Sequence, residues 1–367
     1  MEKSLYLQWL EKYFKGIILK TLEKLNGKPG DLALTYMFKN MLRKEYSLNG
    51  KWETLTALNT RVSADVVSMD SQLPLKKRDT LSKASGDIAK SGMKLWLNET
   101  QITAINDLIR NTQMPENIFI KKIFEDVPRV ITGVYELMEY LFLKGLSSGV
   151  ALVDDDNVGT GIRLDYGYLT ANKFGVSVLW STPATSKPLD DILVVLKKAK
   201  QTDGNVITDV YMDDVTFDNF AKSQQVKEQF AFSIGFFGDK TIVPVPNLEK
   251  INTMLKADNN YRFTIHIVDR TVRVEKNGVQ KTLTPWEEGK VILTTSPEVG
   301  VLAYARLGEQ DSPVTGVQYQ TADDYILVSK YSKNDPLAEF TSSQARVVPV
   351  ICNVEQIYQL DAKTVSA

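Results

Sequence analysis

The chain has 367 residues, 43% of them hydrophobic and 24% charged, with a formal net charge of −1. That is enough chain for two lobes with ordinary packed interiors, and the near-zero charge argues against a dedicated nucleic-acid reader, which carries a basic surplus. One cysteine, Cys352, excludes an internal disulfide or thiolate cluster, and one histidine, His266, removes His-rich metal sites. In chain order, Ser4–Leu25 places Leu5, Trp9, Leu10, Tyr13, Phe14, Ile17, Ile18, Leu22 and Leu25 at near-helical spacing, and Asn26–Gly30 stops it. The opening residues carry charges every few positions instead of a signal-peptide core, and no run reaches membrane-span length. The expectation is a soluble protein that is intracellular when made.

A second short helix is expected over Asp31–Tyr46. From Arg61 to about Leu97 the chain turns polar and rich in Ser, Thr and Lys. It is too poor in apolar residues to supply much core, which suits a lid or a loop ordered by a neighbouring chain. Lys76-Lys77-Arg78 at its centre reads as a solvated tip. Helix returns at Thr100–Arg110 and Pro115–Phe124, then in the stretch around which the rest is organised, Asp126–Gly149. There Val127, Val130, Ile131, Val134, Met138, Leu141 and Phe142 recur on one face. Asp126 offers a cap, Pro128 suits the first turn, and Gly145 and Gly149 offer stops. The expectation is one long helix lying across a mixed sheet.

Two strands with an Asp/Asn/Gly turn follow in VALVDDDNVGTGIRLDYGY. Ser186 is expected to cap PLDDILVVLKKAK, whose acidic first turn and basic last turn match the helix dipole. Gly204 closes that helix. Val206–Tyr211 reads as a strand, and Thr216–Phe230 and Asn247–Lys256 as helices. Tyr261–Val268 is a strand, followed by a hairpin turning at Asn277-Gly278. Further strands are expected at Lys290–Thr295, Val299–Arg306, Tyr325–Tyr331, Ala345–Val350 and Gln356–Leu360. Fold class is therefore α+β, with mostly antiparallel pairing in the second half.

Chemistry-bearing patterns are few. Tyr211-Met212-Asp213-Asp214 matches a tetrapeptide that holds two divalent metals in reverse transcriptases. Here it runs into a helix start where Asp214 or Thr216 can simply cap. Asp154, Asp156, Gly159 and Asp165 half-match a calcium loop, but Val158 stands where an oxygen ligand is needed. Gly159-Thr160-Gly161 has Leu164 where a dinucleotide fingerprint needs its third glycine. His266 alternates with Phe263, Ile265 and Ile267, which puts it beside Thr264 on the more polar strand face. Cys352, between apparent strands, reads as a small buried hydrophobe. No catalytic, cofactor-binding or metal residues are assigned.

The second half resembles the major capsid proteins of tailed bacteriophages, in the branch typified by lambda capsid protein E. The phrases that carry the likeness are YELMEYLFLKGLSSGVALVDDDNVGTGIRLDYGY, LWSTPATSKPLDDI, and the Glu275-Lys276-Asn277-Gly278 hairpin leading to TPWEEGKVILTTSPEVGVLAYARLGE. DPLAEFTSSQARVVPVICNVEQIYQLD completes the series. Together they cover about 220 residues in family order, which is more specific than any one alone.

The resemblance implies the Hong Kong 97-like fold. Residues 1–60 would be an N-terminal arm, 61–98 an E-loop, and 99–182 a peripheral domain including a spine helix at 126–149. Residues 183–324 would form an axial domain, with parts of 259–306 open to either domain. Residues 325–350 would be a peripheral hairpin and 351–367 the C-terminal strand of the axial domain. It further implies a non-enzymatic head protein of the virion, assembled in the host cytoplasm as hexamers and pentamers around double-stranded DNA. Expected partners are a portal, nonspecific DNA contact and, because the arm leaves no room for a fused one, a separate scaffolding protein; a decoration protein is left open. No membrane partner is expected. The alternatives are an encapsulin-type nanocompartment shell and, more remotely, a metal-dependent enzyme using Asp213 and Asp214.

Overall fold

The computed structural model describes residues 2–26, 36–57, 81–111, 113–153, 162–236, 243–258, 260–276 and 278–366. They fall into two compact units. One comprises Met1–Trp52, Gly86–Leu141 and Val301–Val350; the other comprises Glu53–Ser85, Phe142–Gly300 and Ile351–Ala367.

The elements of the first part of the chain are α1 (Leu7–Asn26), α2 (Met37–Met41), β1 (Leu42–Tyr46), β2 (Lys51–Ala57), β3 (Leu81–Asp87) and β4 (Lys90–Leu97). Then come α3 (Glu99–Arg110), α4 (Glu116–Ile123) and α5 (Asp126–Ser148). Helix α1 buries Leu10, Phe14 and Ile18 along one face, as the spacing predicts. The expected helix Asp31–Tyr46 is corrected over its described part: Met37–Met41 is helical as α2 and Leu42–Tyr46 is a strand, while residues 31–35 lie outside the described residues. Arg43, Lys44 and Glu45 have no strand-like apolar pattern, so pairing with the sheet overrides their local preference.

Helix α5 buries every apolar residue read from the sequence, from Val127 to Phe142, at 2% exposure or less. Each contributes about 1.5–3 kcal/mol on burial. Its end is set by Gly149, at φ +81°, whose N–H donates to Gly145 O at 2.8 Å, a left-handed cap. Gly145 does not stop the helix. It leaves room for the Tyr166 ring, whose Cε2 would lie 2.4 Å from a Cβ added there.

The middle of the chain carries β5 (Val150–Val153), β6 (Ile162–Asp165), β7 (Lys173–Val176), α6 (Pro188–Gln201), β8 (Asp209–Met212), α7 (Asp214–Lys222) and α8 (Gln224–Ser233). α9 (Leu248–Ala257), β9 (Thr264–Ile267), β10 (Val272–Lys276), β11 (Val279–Leu283) and β12 (Lys290–Thr294) follow. The expected helix Thr216–Phe230 is two helices, because Ser223 leaves helical geometry and its side chain accepts from Val226 N to cap α8. Ser186 does not cap α6. Lys187 holds that position with Pro188 in the first turn, and the buried Ser186 hydroxyl has no hydrogen-bond partner among the described residues. Asn247 caps α9 by accepting from Lys250 N.

The last part holds β13 (Gly300–Ala305), α10 (Gly308–Asp311), β14 (Gln318–Ala322), β15 (Ile326–Lys333), β16 (Ala338–Ile351) and β17 (Ile357–Val365). In the first unit β1, β13, β16, β15 and β14 lie side by side, and β4 pairs antiparallel with β16 from Leu97↔Glu339 to Lys90↔Arg346. The strand β4 corrects part of the polar-loop expectation for Arg61–Leu97. Its burial alternates between half-buried and exposed with no buried residue, so it adds little core, yet its own chain orders it. Residues 58–80 lie outside the described residues. The long helix crosses this sheet as expected: Ser343 Oγ donates to Val130 O at 2.7 Å, and Gly133 leaves space for Met93 Sδ.

In the second unit the sheet order is β7-β17-β12-β8-β9, with β7–β17 and β8–β9 parallel. Its core gathers Trp180, Leu189, Ile192, Phe220, Ile251, Phe263, Leu293 and Tyr358, among others. The hairpins β5–β6 and β10–β11 are separate two-stranded ribbons.

Candidate functional site

The structure separates the paired aspartates. Asp213, 4% exposed, caps α7: Oδ2 accepts from Thr216 N at 3.0 Å, and Oδ1 accepts from Thr216 Oγ1 at 2.5 Å and Gly289 N at 3.1 Å. Its lone pairs are thus spent on the protein's own donors. Asp214 stands exposed in the first turn, with Oδ1 on Val215 N at 2.9 Å. Of the two capping candidates read from the sequence, neither is the cap: Thr216 donates to Asp213 and its Oγ1 accepts from Gly289 N at 3.0 Å, and Asp214 is a first-turn charge. Among the described residues no three His, Cys, Asp or Glu side chains are grouped to hold a metal.

His266 lies on the more polar face of β9, as its alternation predicts. Nε2 is 2.8 Å from Asp209 Oδ1, and the ring stacks on Tyr211 at 4.8 Å and 19°. Among the described residues its contacts are to Asp209 and Tyr211, which orient the ring. Cys352 is half-buried, with its amide donating to Val299 O at 2.9 Å. Asp165 closes β6, where Oδ1 accepts from Gly167 N at 3.0 Å. Asp154, Asp156, Gly159 and the Gly159-Thr160-Gly161 run lie outside the described residues, as do Lys76-Lys77-Arg78. A groove of about 400 Å³ follows β4 and β16, lined by Lys90–Lys94, Tyr331 and Ser342–Gln344. It contains no carboxylate or imidazole for acid–base work.

What the fold does concentrate is buried charge used as structural ties. Asp323, in the left-handed region at φ 53° in the β14–β15 turn, accepts from Lys39 Nζ at 2.8 Å, Lys44 Nζ at 2.7 Å and Tyr135 Oη at 2.7 Å. Burial alone would raise its carboxyl, but the lysines and Tyr135 outweigh it and hold it below the ordinary carboxylate range. Glu139, 1% exposed on α5, accepts from Met37 N and Phe38 N, both at 3.0 Å. It supplies the first turn of α2 with the anion that Tyr36 does not.

Lys330 is fully buried, and its Nζ donates to Ile123 O at 3.0 Å and Thr341 Oγ1 at 2.8 Å. Nearby Glu339, also fully buried, accepts from Ser4 Oγ and from Leu5 N at 3.2 Å. Burial lowers the Lys330 ammonium and raises the Glu339 carboxyl. These ties escape sequence reading because each joins residues far apart in the chain. The one local signal is a glutamate interrupting the apolar face of α5.

Among the described residues these contacts form a chain of structural tethers. A family model for phage major capsid protein E matches residues 103–362. A protein assigned as the capsid protein of a prophage in E. coli CFT073 is similar in structure at 14% identity and a TM-score of 0.56. That likeness covers 95% of this chain and 98% of the other. A phage-related protein from Bordetella bronchiseptica RB50 is similar at 14% identity and a TM-score of 0.51, over 96% and 98%. No curated protein matches the chain significantly. The fold is the Hong Kong 97-like α+β fold expected from the sequence. With 260 consecutive residues under the family model, the chain belongs to the phage major capsid protein E family and is a shell-forming capsid protein.

Proposed function

We propose that many copies of this chain close, as hexamers and pentamers, into the icosahedral head around packaged double-stranded DNA. The observation that carries the reading is the family match over residues 103–362, with capsid-like fold along nearly the whole chain. The parts take their roles accordingly. Residues 1–60 serve as the arm, 61–98 as the E-loop, and α5 as the spine of a peripheral domain spanning 99–182. Residues 183–324 form the axial domain, with parts of 259–306 open to either domain, 325–350 a peripheral hairpin and 351–367 the axial C-terminal strand. Lys90–Leu97 pairs with β16 of the same chain, which supports reading this stretch as the base of the E-loop.

No single bond drives assembly. Many repeated interfaces each contribute modestly, and mass action among subunits makes the shell stable. The role is structural, not enzymatic, consistent with Asp213 being consumed as a cap. A separate scaffolding protein and a portal are the expected partners, a decoration protein is left open, and DNA contact is nonspecific inside a head assembled in the host cytoplasm. Electron microscopy of the expressed protein, alone and with its neighbouring genes, tests this. Closed shells or capsomer rings support it; a uniform monomer or dimer under both conditions overturns it. Particles that hold an enzyme and no nucleic acid would assign the nanocompartment role instead.

A further inference from the structure

A shell subunit must associate through its intended surfaces and no others, and an exposed sheet edge is a standing template for unintended strand addition. The second unit's sheet ends at β9, which pairs parallel with β8 and has no other strand partner among the described residues. Thr264 N donates to Thr208 O and Val268 N to Met212 O. Strand alternation therefore turns the Ile265 and Ile267 amides outward, away from β8.

At Ile265 the place of a neighbouring strand is taken by one side chain. Asn252, at the middle of α9, accepts from Ile265 N through Oδ1 at 2.8 Å and donates to Ile265 O through Nδ2 at 3.0 Å. A carboxamide carries the same donor and acceptor as a peptide unit, so this two-point contact reproduces a ladder rung. The strand has four residues, and one occupied rung at its centre leaves too little continuous edge for another strand to pair.

We infer that Asn252 closes the β9 edge against strand addition by further copies of this chain, so that self-association is confined to the shell-forming surfaces. The inference rests on the shell-forming reading for its purpose but not for its test, which is made on the chain without scaffold.

In the parent, amide exchange at Ile265 is expected to be about tenfold slower than at Ile267, the factor that one additional hydrogen bond supplies; equal rates overturn the plug. Asn252→Leu keeps the side chain's size and removes both bonds. At unchanged helix and strand content by circular dichroism, sedimentation velocity is expected to show loss of the parent's boundary to larger species as concentration rises. His266→Lys, placing a charge in the edge strand, is expected to suppress those species. An Asn252→Leu chain that sediments like the parent overturns the inference, and so does association that His266→Lys leaves unchanged. Failure of the parent to form shells with scaffold would instead strike the proposed function and leave these readouts intact.

Discussion

Adjacent residues of one charge can have opposite roles, and Asp213 and Asp214 show it. Asp213 satisfies buried donors on two segments, while Asp214 faces solvent. Asp213→Ala is expected to cost about 1–3 kcal/mol, the penalty of leaving buried donors unpaired. Asp214→Ala is expected to cost less than about 1 kcal/mol, the worth of an exposed charge at a helix N-terminus. Urea unfolding of the two variants measures the difference; equal losses would contradict the assignment.

Asp323 gives a pH signature at the same scale. Its carboxyl sits lower in the folded chain than in an ordinary carboxylate, so it stabilises the fold above its unfolded pKa of about 3.9. That stability is lost as pH falls through the lower folded value. Below about pH 4, the parent is expected to lose stability more steeply than Asp323→Asn, followed by circular dichroism. Superimposable acid limbs would show that Asp323 does not set the response.

For whole elements, glycines in helices separate propensity from packing. At Gly16 on α1 an added Cβ meets nothing within 4 Å, whereas at Gly145 on α5 it meets Tyr166 Cε2 at 2.4 Å. Gly16→Ala is therefore expected to raise stability by about 0.5–1 kcal/mol, by limiting the unfolded chain and improving helix propensity. Gly145→Ala is expected to lower it, because overpacking costs about 1–3 kcal/mol and outweighs that gain. Thermal melts of the two variants should move in opposite directions. Glu139→Ala is expected to cost about 1–3 kcal/mol by stripping the α2 amides of their acceptor. Chemical denaturation reads this, and an unchanged midpoint would remove Glu139 as the anchor of α2.

The elements legible in the sequence were those whose apolar period exceeds two turns, α1 and α5 above all, and the Asn277-Gly278 hairpin with its local turn signal. Strands β1 and β4 were not legible. Leu42–Tyr46 carries charges through its centre, and Lys90–Leu97 mixes Lys, Ser and Gly with a mostly exposed Trp96, 58% exposed. Both take strand form from partners about 250 residues away, information that no local window holds.

For the whole molecule, assembly is the function to be tested. Because Asp214 lies outside every buried tie described, Asp214→Ala with scaffold supplied is expected to yield shells as the parent does. Loss of shells at intact folding would give that carboxylate a role between subunits. The sequence alone determined the α+β class, the long central helix with its buried face and the capsid likeness of the second half. Those properties reside in periodicity, composition and ordered phrases, all of which are local. Tertiary structure alone decided that Asp213 is a cap, that Glu139 and Asp323 are anchors, that Lys330 and Glu339 are buried together beneath Ser4, and that Asn252 stands in for a strand. The Glu139, Asp323 and Glu339 contacts join residues far apart in the chain. Even the nearer pairs, Asp213 with Thr216 and Asn252 with Ile265, meet the cost of burying a charge or an amide only once the chain is folded.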